Sequence, residues 1–229
     1  DYSYNPDLLG YYVPFLQMIR IDSRAAASNL VSDLDQVLLH EIVHHFLVSE
    51  LPGISGKCWL NEGLAGNLEV GIIDEKQAEF PLLNPVLLKI ARRELAGNKD
   101  RNLLRDLLRS DWKSFHDEKT REKNYALSWA IVYHLLEAEL PAELPLKARI
   151  NRLHAMDEET ITALESRWRN NILKLEVVEK LGELARESAP GKRLTALWAI
   201  QELGKSRGFN VRRSLAILAK LFDDETSEL

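Results

Sequence analysis

Residues 40–44 read His-Glu-Ile-Val-His. On a helix, His40 and His44 lie one turn apart on one face. Two imidazoles at that spacing can chelate one zinc ion. Glu41 stands beside them and can reach a water bound to that ion. The run from Val37 to Val48 is otherwise almost entirely Leu, Ile, Val and Phe. A helix apolar nearly all round is buried. An ionised carboxylate in such surroundings is costly unless it is paired or close to a cation. A divalent ion would supply that compensation.

A second acidic residue fits the same chemistry. After Pro52 and Gly53 comes Trp59-Leu60-Asn61-Glu62-Gly63-Leu64-Ala65. Glu62 falls near the start of the next predicted helix. A short loop between antiparallel helices brings that start back toward the first helix. Glu62 is therefore a candidate third ligand. Two His and one Glu, with water in the fourth position, form the donor set of an open catalytic zinc site.

The elements that must hold these residues are mostly helical. The hydrophobic pattern predicts helices over 33–50, 60–74, 84–96, 101–109, 122–139, 145–155, 158–187, 192–205 and 210–223. Ser32 or Asp33 can cap the first of them, and Leu51-Pro52-Gly53 ends it. Only Tyr11 to Asp22 reads as strand, with Pro14 restricting it to an edge or a break. The expected fold class is α+β and predominantly helical, with a small N-terminal sheet and a helical C-terminal part. The expected division is 1–157 as catalytic domain and 158–229 as a helical subdomain, with one continuous domain as the alternative, and the Pro190-Gly191 break as the best candidate boundary in the chain.

Composition narrows the function classes. Of 229 residues, 45% are hydrophobic and 28% charged, as in ordinary globular proteins and unlike disordered chains. The net charge of −5 argues against a nucleic-acid binder that relies on a basic face. No apolar run approaches the roughly 18 residues of a membrane span. Cys58 is the single cysteine, so neither an internal disulfide nor a multi-cysteine zinc site is expected. The sequence begins at Asp1 with no signal-peptide pattern. A targeting segment could have been removed, so the sequence leaves the compartment open, with a lean toward a secreted or periplasmic bacterial protein.

HEIVHH followed by WLNEGLA resembles the gluzincin metallopeptidases, most closely their aminopeptidase-like and related uncharacterised bacterial branches. The resemblance implies that His40, His44 and Glu62 bind zinc and that Glu41 is the general base. It also departs from the family. Seventeen residues separate His44 from Glu62, one fewer than in the aminopeptidases, so the loop is rebuilt and their substrate rules do not carry over. Tyr125 to Leu135 (YALSWAIVYHL) is similar to the family segment in which a Tyr opens a helix and a small residue follows three places later. That likeness implies that Tyr125 stabilises the oxyanion. The matches run from residue 40 to about 135, and Met18 to Asp22 fits the strand that lines the family's cleft. Only 39 residues precede the motif, few for a gluzincin sheet, so a minimal or truncated sheet is expected.

The expected function is therefore a zinc-dependent metallopeptidase with one Zn²⁺ per chain and a peptide or protein substrate. The family's aminopeptidases anchor the substrate amine on a Gly-rich strand. Residues 1–39 hold no such strand, which favours an endopeptidase or an unusual exopeptidase. Two alternatives remain open. One is a non-catalytic scaffold using the helices after 158 as partner surface. The other is a zinc amidase acting on non-protein amide links.

Other residues have simpler expected roles. Glu69, seven residues after Glu62, either orients one of the two histidines or is a solvated charge. Asn61 is a candidate contact to substrate backbone, and Tyr133 a second candidate oxyanion stabiliser. His45, His116, His134 and His154 are expected to be packed, hydrogen-bonded or exposed. Cys58 and the tryptophans are expected in the core, and the arginine pairs near 92, 168 and 212 on solvated faces.

Overall fold

The apolar run around His40 forms a helix from Val31 to Glu50 (α1), but it is not buried all round as expected, because Leu38, Ile42 and Phe46 lie on an exposed face. Gly53 ends the reversal that follows, with a φ of 84° that only glycine adopts without strain. One 3₁₀ turn, Ile54–Gly56, then leads into α2, Cys58–Leu68. The connection is short enough to send α2 back along α1. The computed structural model describes residues 10–13, 18–21, 31–70, 72–73, 78–79, 83–99, 102–141 and 143–175.

Every residue of α2 is buried, including Asn61, Glu62 and Asn67. Two glycines make this close packing feasible. A Cβ on Gly63 would lie 2.5 Å from the Ser128 backbone oxygen and 2.6 Å from Val132 Cγ2. A Cβ on Gly66 would lie 3.0 Å from Leu87 Cδ1. The helix against Gly63 is α6, Arg121–His134, which continues as a π-helical turn over Leu135–Glu139. The helix against Gly66 is α3, Pro85–Gly97.

Helix α3 starts as its sequence dictates. The Asn84 side-chain oxygen accepts from the N–H groups of Val86 and Leu87, both at 3.1 Å, and Pro85 takes the first helical position. Short helices follow: α4, Leu103–Leu108, and α5, Trp112–Phe115. After α6 come α7, Leu146–Ala155, α8, Glu158–Thr162, and α9, Glu165–Lys174. Two small antiparallel ribbons complete the described backbone. Gly10–Val13 (β1) pairs with Met18–Ile21 (β2), and Ile72–Ile73 (β3) with Ala78–Glu79 (β4). The described residues are thus predominantly helical.

One apolar core joins these helices. It includes Leu47 of α1, Leu60 and Leu64 of α2, Leu88 of α3, Trp129 of α6 and Trp168 of α9. Two arginines expected on solvated faces tie α3 to α9 instead. Arg92 Nε donates to the Ile172 carbonyl at 2.9 Å, and Arg169 Nη1 to the Leu95 carbonyl at 2.8 Å.

Where helix limits differ from expectation, a local cause is visible. Helix α2 stops at Leu68 rather than 74, because the chain turns into β3. The helix expected over 158–187 is interrupted where Leu164 N–H bonds Ile161 rather than residue 160, tightening the turn between α8 and α9. Helix α5 is a single turn, too short to show periodicity. The helices expected over 192–205 and 210–223 lie outside the described residues.

Candidate metal centre

Helix α1 places His40 and His44 one turn apart, with their Nε2 atoms 3.0 Å from each other. The α1–α2 reversal brings Glu62 across from them. Its Oε2 lies 3.4 Å from each Nε2. Each of the three residues offers one ligand atom, and these atoms all lie within 4.8 Å of one another.

The outer ring nitrogens are held by acceptors. His40 Nδ1 donates to Glu69 Oε2 at 2.6 Å. Glu69 is fixed in turn by Asn84 Nδ2, which donates to its Oε1 at 2.7 Å. His44 Nδ1 donates to Asn61 Oδ1 at 3.1 Å. A carboxylate and an amide oxygen only accept, so both Nδ1 atoms carry hydrogen. In the neutral rings both Nε2 lone pairs then point inward, toward Glu62 Oε2. That oxygen is buried and accepts no hydrogen bond among the described residues.

With both rings neutral, three lone pairs would face one point, an arrangement that is repulsive unless a cation, either a proton on His40 or a metal ion, sits among them. Tetrahedral ligands 2.0–2.1 Å from a zinc ion stand about 3.4 Å apart, close to the separations here. The group His40, His44 and Glu62 can hold a metal ion.

The electrostatics agree. Burial opposes charge on Glu62, but the imidazoles of His44, His116 and His40 outweigh it and hold the carboxyl well below its usual range. Burial likewise opposes charge on His40. The carboxylates of Glu62 and Glu69 overcome it and hold that imidazole well above its usual pKa. The site thus draws positive charge inward, and a proton on His40 is what a metal would displace.

Two more expected residues border this cluster. Glu41 follows His40 on α1 and is buried. Tyr125 is the fifth residue of α6 rather than its opening residue, three residues before the Ser128 whose carbonyl packs at Gly63. Burial pushes its phenol well up, and the charges of Glu62 and Glu41 push it further. Tyr125 therefore keeps its proton at neutral pH and lies close enough to feel both carboxylates. Tyr133 does not share this setting. Its ring stacks on Trp129 at 5.3 Å, and its own charged neighbour is Glu137.

Asn61 holds His44 rather than pointing to substrate, and of the two roles open to Glu69 the orienting one is realised, on His40. His45 stands outside the donor group. Cys58 is buried as expected, and burial with the Glu62 charge raises its thiol pKa. His134 lies elsewhere, between Asn171 and Glu139.

Sequence reasoning missed His116. Its Nε2 lies 3.3 Å from Glu62 Oε1, and its Nδ1 donates to the Trp112 carbonyl at 2.9 Å. The contact spans 54 residues and has no fixed spacing to signal it. Trp112, expected in the core, is instead 57% exposed beside it.

No family model, curated protein or solved structure matches this chain.

Proposed function

We propose that this protein is a zinc-dependent metallopeptidase, with a gluzincin-like catalytic domain and one Zn²⁺ held by His40, His44 and Glu62. One observation carries the reading: one ligand atom each of His40, His44 and Glu62 lies within 4.8 Å of the others, while the outer nitrogens of both histidines are already occupied. Nitrogen and carboxylate donors in a set of three favour zinc in an open catalytic site over calcium or magnesium. When bound, zinc would polarise a scissile carbonyl and acidify a water toward a pKa of about 7.

The chain's own residues supply the remainder. Glu41 accepts a proton from the attacking water and delivers it to the leaving nitrogen. The new bond is carbon to oxygen, and the bond that breaks is carbon to nitrogen. Tyr125, kept protonated by its surroundings, donates a hydrogen bond to the carbonyl oxygen as charge gathers there. Glu69 and Asn61 fix the two imidazoles so that little reorganisation is needed. His116 Nε2 lies 3.3 Å from Oε1 of Glu62, and Oε2 is the oxygen that faces the two imidazoles.

The test is a peptide-library screen on zinc-loaded protein beside its Glu41→Gln variant. The reading expects cleavage by the former and cleavage about 10²–10⁴-fold slower by the latter, with equal zinc in both. Equal cleavage by both would refute it. Zinc uptake without turnover of any peptide would favour a scaffold. Turnover of cell-wall amides alone would favour an amidase.

A further inference from the structure

We propose that Trp112 forms an apolar wall of the substrate cleft and selects peptides with a large apolar side chain, aromatic above all, beside the scissile bond. The inference rests on the metallopeptidase reading of the neighbouring site.

Helix α5 is firmly held. Asp111 caps it, accepting from Ser114 N at 2.8 Å. Phe115 is fully buried beneath it, and Asn124 Nδ2 of α6 donates to the Phe115 carbonyl at 2.9 Å. The turn that displays Trp112 is thus fixed on the helix that carries Tyr125.

Three rings then run outward from the ligands. Tyr125 meets His116 edge-on, with centroids 5.9 Å apart. His116 lies against Trp112 with centroids 3.8 Å apart and planes tilted by 35°. His116 itself touches Glu62, so this shelf starts at the metal ligands and ends in solvent.

Trp112 is out of place for a core residue. At 57% it is the most exposed of the large hydrophobic side chains described, whereas Trp59, Trp129 and Trp168 are buried. Apolar surface held in water at a fixed position gains nothing for folding. It gains on covering, and the group that approaches a metallopeptidase centre is a substrate side chain. The flanking Asp111 and Lys113 are exposed and of opposite sign. They give this wall no net charge with which to prefer an acidic or basic residue.

The experiment uses zinc-loaded protein and peptides that differ only in Phe, Leu, Ala or Glu beside the cleaved bond. Phe should be preferred to Ala by about tenfold or more in kcat/KM. Trp112→Ala should bring that ratio close to one, mainly through KM, with zinc content retained, and Trp112→Phe should restore most of it. A second readout needs no turnover. Zinc-loaded Glu41→Gln protein should show a blue shift of tryptophan emission when the Phe peptide binds. The added Trp112→Ala change should abolish that shift. Cleavage with no Phe preference, or with a preference that survives Trp112→Ala, would overturn this inference while leaving the peptidase reading intact. Failure of the unsubstituted protein to bind or cleave any peptide would overturn both.

Discussion

Oε2 of Glu69 lies 2.6 Å from Nδ1 of His40, and Oε1 of the same carboxylate accepts from Asn84 at 2.7 Å. The first bond fixes the tautomer and orientation of a candidate metal ligand. The second ties that ligand to the capped start of α3. Removing such a partner of a ligating histidine costs about 10–100-fold in metal affinity. Glu69→Ala should therefore weaken zinc binding by that factor in a chelator competition. An unchanged affinity would show that the ring is held by α1 packing alone.

Gly63 has a different task, on the far side of Glu62. Its missing side chain lets α6 approach, and α6 carries Tyr125. Gly63→Ala would force a methyl group into the Ser128 carbonyl and Val132. Overpacking of this kind costs about 1–3 kcal/mol. The urea midpoint should fall accordingly. A variant as stable as the original would mean that α2 and α6 separate without cost.

Glu41 and Tyr125 should affect turnover without affecting metal. General acid–base groups contribute about 10²–10⁴-fold, and one oxyanion donor about 10²–10³-fold. Glu41→Gln should lower kcat by the first factor and Tyr125→Phe by the second. Both proteins should keep their zinc. A Tyr125→Phe variant with full kcat would remove Tyr125 from the mechanism.

His134 predicts an acid sensitivity separate from the metal site. Burial lowers its pKa, and the Arg167 charge adds to this against the opposing pull of Glu139. The folded protein therefore binds this proton less readily than the unfolded chain does. His134 contributes its full stability above the ordinary histidine value of about 6.5. That contribution is lost as pH falls through the lower folded value. Urea unfolding at a series of pH values should show stability falling on acidification, and less steeply in His134→Gln. Parallel curves for the two proteins would contradict this.

The site was legible in the sequence where its geometry is local. HEIVH fixes two ligands by helical periodicity alone, and Pro52-Gly53 announces the reversal that returns Glu62. Glu69 is readable for the same reason, lying two turns beyond Glu62. His116 and Trp112 were not legible. They reach the site through the docking of a one-turn helix on α6, which depends on Phe115 and Asn124 rather than on any spacing to the motif. The contact of Asn61 with His44 was not legible either, because it crosses a helix pair whose rotation no pattern specifies.

The account depends on His40, His44 and Glu62 holding one metal ion. Elemental analysis of protein purified without chelator or metal-affinity media tests this. The prediction is close to one zinc per chain at neutral pH, with marked loss in Glu62→Ala. A content near zero that added zinc does not restore would contradict the account, since the cluster would then be satisfied by a proton on His40 alone.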